Sequence, residues 1–439
     1  MRSTRGVISL NREPRTFILT SMKQSNFFNK IFFWVLPILA VIVWALDVTA
    51  SPAMPIQPIL AKLSGLLGIA FIANSFLHAS RFGFIEKIYG GLDKVYKAHQ
   101  KSGRYAYVFI LVHPLFLATK GLLSLESLRL HFLPGDFLNY NTGIAAFYLL
   151  NVLLLLTLVI KLPYQIWKRT HKLMIVVLLL ASLHVFQNSF GIVWLFNFAL
   201  IMIGTLSFIY REWIYGNFSR KYLYEVVSIK DLDSITELEL EPKEEKMLFQ
   251  AGQFVFLKFV DSNIVPDEGH PYSISSSIHN ENIRISSKSL GDYSEKLKMA
   301  KKGDVVKIVG PHGRFTVNKA VKKQLWISGG IGTTPFLSML YESDGIDLIF
   351  IHSNRNEKDA VYLEEIQLKA NTGAFKFIPH YSDTEGFINA EYFKKHVPDF
   401  KDREILICGP SIMMYKMRDI LVELGADKNQ IRFEDFNFK

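Results

Sequence analysis

Twelve histidines are scattered along the chain, and four of them stand in matched pairs. His99 and His113 are fourteen residues apart across one apolar stretch, and His171 and His184 are thirteen apart across another. At about 1.5 Å rise per residue a helix separates the two members by roughly 21 Å and 20 Å, so two such helices side by side present two levels of facing imidazoles. Iron in a b-type haem takes one neutral imidazole from each side. His99 with His171 would hold one haem and His113 with His184 a second. One such histidine alone reads equally well as a ring satisfied by a backbone carbonyl; four at matched spacing favour the metal. Rotation is uneven: fourteen residues return to within about 40° of the same face, whereas thirteen land about 140° away. An irregular turn near His171, or a distortion within the span, is therefore expected. His78 has no partner at equivalent spacing and reads as structural or interfacial. His131 sits in the outer loop and stays unassigned.

A second set of residues suits nucleotides. His270-Pro271-Tyr272-Ser273-Ile274-Ser275-Ser276 puts an imidazole, a flat ring and small hydroxyls along one strand. The ring can stack on an isoalloxazine, the hydroxyls can reach N5 or a phosphate, and the imidazole can meet a pyrophosphate. By composition alone this is as readily a plain edge strand. Its company favours flavin: Gly252-Gln253-Phe254 precedes it, and Ser289-Leu290-Gly291-Asp292-Tyr293-Ser294 follows, where a glycine opening a short helix offers N–H groups to phosphate. FAD is the expected cofactor, with His270, Pro271, Tyr272, Ser273, Ser275, Gly291, Tyr293 and Ser294 as contacts. Further on, Gly329-Gly330-Ile331-Gly332-Thr333-Thr334-Pro335 follows a buried strand and opens a helix. Glycines let a pyrophosphate approach the backbone, and the helix start favours its charge. The spacing is not that of the dinucleotide fingerprint. Cys408-Gly409-Pro410 ends another strand, where a small sulfur side chain could sit near a nicotinamide. A buried core cysteine is the plainer alternative. Arg355, after a further strand, is placed to meet a 2′-phosphate, which favours NADPH over NADH.

These groups need elements to hold them. The 439 residues are 49% hydrophobic, and nearly all long charge-free runs fall before about residue 213. A bilayer core requires about 20 apolar helical residues, and six segments qualify: 31–48, 59–82, 105–123, 142–162, 172–190 and 192–213. After them, short strands rich in β-branched and aromatic residues at 222–229, 235–240, 254–260, 272–276, 283–287 and 305–309 predict a small antiparallel barrel. From 324 the rhythm becomes strand, glycine turn and helix, through 348–352, 375–380 and 405–408, which predicts a parallel α/β domain. The expected architecture is a multi-domain membrane protein. Its parts are an N-terminal extension over 1–30, a six-helix transmembrane bundle over 31–213, an antiparallel β-barrel FAD domain over 218–320 and a parallel α/β nucleotide-binding domain over 321–439.

The net charge of +10 follows topology rather than nucleic acid. Arg2, Arg5, Arg12, Arg15, Lys23 and Lys30 face one acid, Glu13, in the first thirty residues; basic groups recur in 81–104 and 161–172, while 51–58 and 188–193 have none. Both termini are accordingly expected in the cytoplasm. The single cysteine excludes an internal disulfide and a cysteine-based metal site. The first apolar segment reads as an anchor rather than a cleaved signal. Met22 reads as a better start than Met1, with 1–21 an upstream extension.

Jointly these residues resemble the ferric reductase and NADPH oxidase superfamily, over roughly 59–439. The resemblance rests on the histidine spacings, the His-Pro-Tyr-Ser-Ile-Ser strand, the Gly-Gly-Ile-Gly-Thr-Thr-Pro turn and the Cys-Gly-Pro turn. It implies His99, His113, His171 and His184 as haem ligands, His270 to Ser273 as flavin contacts, and Gly329 to Pro335 with Cys408 to Pro410 as nicotinamide-nucleotide contacts. It also implies a closing aromatic, Phe438, that covers the flavin until nicotinamide displaces it. Electrons would pass from NADPH, or NADH, through FAD and two haems to a small-molecule or ionic acceptor outside, either a ferric chelate or dioxygen. Alternatives are a reductase of a quinone or periplasmic partner, and a non-enzymatic haem-binding or transport scaffold. One departure bears on the acceptor: superoxide-forming members commonly carry a second histidine four residues beyond the outer ligand, and here that place is Leu117. The chain resembles a compact member without calcium-binding loops, expected in the bacterial cell membrane and needing no nucleic acid or obligate protein partner.

Overall fold

The computed structural model describes residues 14–50, 55–119, 124–218, 220–232, 234–260, 262, 265–266, 268–289 and 291–434. Phe438 and the basic residues before Pro14 lie outside them. The chain divides into two compact units, one covering Asn26–Phe218 and the other holding Ser219–Lys439.

The first unit is helical. Its elements are α1 (Pro14–Thr49), α2 (Ile56–Ala79), α3 (Gly83–Tyr89), α4 (Leu92–Thr119), α5 (Leu125–Phe132), α6 (Leu138–Leu158), α7 (Tyr164–Lys172), α8 (Met174–Asn188) and α9 (Gly191–Ile209). α9 runs on through a π turn, Tyr210–Ile214, into α10 (Tyr215–Phe218). Its polarity is that of a protein solvated by lipid. Ile38, Leu46, Val108, Val152, Leu158, Leu183 and Leu195 are exposed, while α2 buries Ala61, Ser64, Gly68, Ala70 and Ala73. Small residues let neighbouring backbones approach where hydrocarbon supplies no drive to associate. At Gly68 an added Cβ would stand 2.8 Å from Ile110 on α4. α2 is consequently the hub, packed by α4 and α9.

Among the described residues five helical segments are long and apolar enough to cross a membrane: Phe28–Thr49, Ile56–Ala79, Leu138–Leu158, Tyr164–Asn188 and Gly191–Ile214. The sixth expected segment belongs to α4. That helix is longer than the apolar run suggests, and its first half carries Lys94, Lys97, Lys101 and Arg104, which keeps it below the apolarity of the other five.

The second unit contains two sheets. β1 (Lys221–Leu232), β2 (Ile235–Pro242), β3 (Phe254–Val260), β4 (His270–Ser273), β5 (Ile283–Lys288) and β6 (Val305–His312) form one antiparallel sheet in the order β4-β3-β6-β1-β2-β5. Alternate residues enclose the core, with Tyr224 and Val226 from β1 meeting Val255, Leu257 and Phe259 from β3. The outermost strands meet at a single bridge, Ile274 with Ile285, where the Ser275 amide donates to the Arg284 carbonyl at 2.8 Å. A short helix, α11 (Asp292–Leu297), follows β5.

The second sheet is parallel. Its strands are β7 (Lys323–Gly329), β8 (Asp347–Asn354), β9 (Lys376–Tyr381), β10 (Glu404–Cys408) and β11 (Ile431–Glu434), in the order β11-β10-β7-β8-β9. Helices α12 (Thr334–Leu340), α13 (Leu363–Ala370), α14 (Ser382–Glu385), α15 (Ala390–His396) and α16 (Ser411–Glu423) occupy the connections. β7 and β10 are buried almost throughout, as strands covered on both faces must be. Strand order reverses between β7 and β10. In such sheets ligands bind beyond the carboxyl ends of the strands at that reversal.

Candidate functional site

The four paired histidines come together as two couples. His99 faces His171 with ring centres 6.0 Å apart, and His113 faces His184 at 6.3 Å, the planes crossing at 77° and 82°. An imidazole nitrogen binds a transition metal at about 2.0–2.1 Å, which places two opposed ring centres about 6.4 Å apart across one ion. Both couples match that separation.

The hydrogen bonds fix the tautomers. A carbonyl only accepts, so His99 Nδ1 donates to Ser75 O at 2.9 Å, His113 Nδ1 to Ala61 O at 2.8 Å and His184 Nδ1 to Asn139 O. Thr157 spends its proton on Leu153 O at 2.7 Å and can only accept from His171 Nδ1, 3.4 Å away. Every Nε2 therefore keeps its lone pair when the ring is neutral. A ring oriented through its second nitrogen is the usual arrangement of a metal-ligating histidine. Among the described residues no group of three or more His, Cys, Asp or Glu could hold a bare metal ion. Two opposed imidazoles fit an ion whose other ligands come from a macrocycle, as in haem.

Helix geometry explains the uneven spacing. His99 and His113 share α4, but His171 lies in the last turn of α7 and His184 belongs to α8. Between them Leu173 turns with ψ −6°, its amide reaching back to Thr170 O at 3.0 Å. That tight turn absorbs the rotation an ideal helix would have misplaced. Sequence reasoning missed two residues here, Gly65 and Gly143. An added Cβ would lie 3.1 Å from His113 Nδ1 at the first and 2.7 Å from His184 Nδ1 at the second. Both rings rest against a helix that has no side chain in their way. A glycine inside an otherwise apolar helical run was the available signal.

His78 is buried, its Nε2 2.7 Å from the Tyr89 hydroxyl, as a structural histidine would be. His131 Nδ1 donates to Ser127 O within α5 at 2.8 Å.

On the flavin strand, His270 stacks on Tyr293 at 3.8 Å and lies 3.0 Å from Glu268. Tyr272 is buried beside Ser287, and burial pushes the phenols of Tyr272 and Tyr293 up, so both remain neutral donors. Pro271 is half-buried and Ser273 buried. Ser294 Oγ lies 3.0 Å from the Gly291 amide, which donates to it. The Ser275 hydroxyl is taken up by Arg284, donating to its carbonyl and accepting from its Nε, both at 3.1 Å. The Ser289 hydroxyl, in the loop before Gly291, has no partner among the described residues. This buried, unpaired hydroxyl and the His270–Tyr293 face suit a flavin nucleotide.

The two nucleotide turns are neighbours at the reversal of strand order. Cys408 on β10 is level with Ser328 on β7. A Cβ at Gly332 would stand 2.5 Å from Cys408 O, and one at Gly329 2.5 Å from Met413 Sδ. Gly330 has φ +52° and Gly409 φ +159°. Cys408 itself turns into the core. Thr334 and Pro335 open α12, the Thr334 hydroxyl donating to Ile331 O at 2.9 Å. Pro410 precedes α16, and Arg355 is exposed just past β8. Thr333 lies within the Gly329 to Pro335 run, whereas sequence reasoning did not single out Asn354. Both are buried at this edge, and Thr333 Oγ1 and both amide atoms of Asn354 lack a partner among the described residues. Buried polar atoms are rarely left so, and a dinucleotide would satisfy them. His352 below is held by Ser328 at 2.7 Å, and burial lowers its pKa to about 4, leaving it neutral.

Comparison with known proteins agrees with this division. Residues 64–182 match the ferric reductase like transmembrane component, 222–329 an FAD-binding domain and 326–419 an oxidoreductase NAD-binding domain. The chain is 29% identical over 243 residues to a flavohemoprotein of Bacillus subtilis, covering 49% of this chain and 60% of that one. It is 30% identical over 209 residues to a glycine betaine monooxygenase reductase subunit of Pseudomonas aeruginosa, covering 43% and 56%. It thus spans 56–60% of the length of these curated relatives. A Malassezia yamatoensis flavohemoglobin structure with bound FAD and heme aligns at TM-score 0.49 and 16% identity, over 77% of this chain and 97% of that one. The Amycolatopsis cytochrome P450 reductase GcoB aligns at TM-score 0.44 and 20% identity, over 49% and 70%. The three matched segments in this order give the chain a ferric-reductase-like transmembrane domain joined to FAD-binding and NAD-binding domains, the domain set that the ferric reductase and NADPH oxidase superfamily resemblance implies.

Proposed function

We propose that the protein carries electrons across a membrane, from NADPH through FAD and two b-type haems to an acceptor on the far side. The observation that carries this is the pair of opposed imidazole couples, 6.0 and 6.3 Å between ring centres, stacked along α4 with every Nδ1 committed to a protein oxygen. When bound, the flavin takes up a hydride and the haem irons pass its electrons singly. The residues bind and orient. Gly329, Gly330 and Gly332 admit a pyrophosphate, the His270–Tyr293 face holds the flavin, and the Nδ1 bonds hold each imidazole in the ligating tautomer. α4 acts as a sixth span whose charged first half reaches the cytoplasmic boundary. Both termini are cytoplasmic, and the membrane is the bacterial cell membrane.

The acceptor is a ferric chelate or dioxygen. With purified, FAD-supplemented protein and NADPH, superoxide-dismutase-sensitive cytochrome c reduction reports dioxygen use, and ferrous-chelator absorbance reports iron. Difference spectra should show two low-spin haems reduced by NADPH. Haem that dithionite reduces but NADPH does not would leave a haem-binding scaffold beside an independent flavoprotein. Negligible rates with both small acceptors would point to a quinone or a periplasmic partner.

Arg355 is assigned to the 2′-phosphate. Charge-assisted hydrogen bonds contribute about 1.5–3 kcal/mol, so Arg355→Ser should raise KM for NADPH about tenfold or more and leave NADH almost unaffected. Equal effects on both nucleotides would remove the assignment.

A further inference from the structure

The polar contacts joining the antiparallel sheet to the parallel one gather on a residue of unusual backbone. Tyr362, immediately before α13, has φ +63°. A bulky residue keeps that left-handed conformation only where its surroundings hold it. Its hydroxyl donates to Glu237 Oε2 on β2 at 2.7 Å and lies 2.6 Å from Ser286 Oγ on β5. With the phenol proton given to the carboxylate, the serine is the donor to the phenol oxygen. Arg284, also on β5, lies 5.1 Å above the Tyr362 ring. Two of its nitrogens each reach an oxygen of Glu365 on α13 at 2.9 Å. Its other hydrogen bonds go back to Ser275, from Nε to the hydroxyl and from the guanidinium to the carbonyl, each at 3.1 Å, and its Nε also lies 3.7 Å from Glu237 Oε2.

One arginine therefore ties the flavin strand to the nucleotide-binding domain. Glu237 is only 5% exposed, and a carboxylate so placed has to be paired. Neither sheet needs the network for its own ladder, since both are complete without it. What the network fixes is the angle between the two domains. That angle matters because the hydride donor and acceptor rings are gripped by different domains and must approach to about 3–3.5 Å. Tyr362 also closes the loop that Arg355 opens, so the adenosine end of the nucleotide and the junction belong to one segment.

We propose that Tyr362 and Arg284 are positioning residues for hydride delivery, locking the nucleotide-binding domain against the flavin domain through Glu237, Ser286 and Glu365. This rests on the electron-transfer reading above. The test uses the full chain, purified and loaded with FAD, as wild type, Tyr362→Phe, Glu365→Gln and the double variant. Stopped-flow flavin bleaching is recorded at saturating NADPH and NADH, together with nucleotide affinity, FAD content and reduction by dithionite. A misplacement on the order of 1 Å costs about 100-fold in rate, so each single variant should lose about tenfold or more in the limiting rate of flavin reduction. Nucleotide affinity, FAD content and dithionite reduction should stay near wild type. The double variant should be no slower than the product of the single losses, and markedly less slow if both act through one lock. Unchanged bleaching in both single variants overturns the proposal. So does a loss that appears only with released FAD or with equally weakened nucleotide binding, which would mark a merely structural role. If the wild type is not bleached by either nucleotide, the electron-transfer reading itself fails and the positioning role goes with it.

Discussion

Replacing His113 with alanine is expected to stop electron delivery beyond the helical unit while leaving nucleotide-driven flavin reduction intact. The ring donates to Ala61 O and faces His184 at 6.3 Å, so its loss leaves one imidazole where two opposed ones stood. The His99–His171 couple lies about 20 Å away along α4 and shares none of its supporting atoms. The dithionite-reduced minus oxidised spectrum should therefore lose about half its haem signal, and acceptor turnover should fall by more than about 100-fold, since removing even a group that only orients a ligand costs 10–100-fold. Gly143→Val should act in the same direction from the other side. Its Cβ alone would stand 2.7 Å from His184 Nδ1, and backbone on one side and a tethered ring on the other leave little room to yield. A His113→Ala protein with full haem content and wild-type acceptor rates would refute the assignment of this couple.

The second large effect is expected from Gly332→Val. Its Cβ would lie 2.5 Å from Cys408 O and 2.6 Å from Gly409 Cα. Both obstacles are backbone, so no side chain can swing aside, and the turns after β7 and β10 must part. Overpacking of this kind costs about 1–3 kcal/mol or more, here concentrated where the pyrophosphate would lie. NAD(P)H-dependent turnover should fall by at least about tenfold through a raised KM. Haem reduction by dithionite and FAD content should hardly change, because neither passes through this turn. Unaltered nucleotide affinity would place the dinucleotide elsewhere.

Much of this arrangement is legible in the sequence because the chemistry is written in short local signals. Histidines in apolar runs, glycines between a buried strand and a helix, and alternating strand residues all act over a few positions. The strands expected at 222–229, 235–240 and 254–260 appear as β1, β2 and β3, and the parallel sheet follows from the repeat after residue 324. The less legible features depend on partners far along the chain. Nothing near Gly65 or Gly143 announces that an imidazole from another helix will lie against them. The left-handed Tyr362 is held by Glu237 and Ser286, more than seventy residues earlier. The bridge from Ile274 to Ile285 is a product of sheet curvature rather than of either strand's composition. The extent of α4 was obscured for a different reason: its charged first half is helical yet carries no apolar periodicity, so only the run after Arg104 stands out.

The tight turn at Leu173 has a mechanical consequence. A rod interrupted between its two load points does not transmit a tilt from one end to the other. When a helix is mismatched to bilayer thickness, leaning is among the least costly adjustments, and here α8 can lean about the turn while α7 keeps its own attitude. Lipid composition would thus bear on the ring geometry at His184 and spare that at His171, which makes the two imidazole couples unequal in their response to the same membrane.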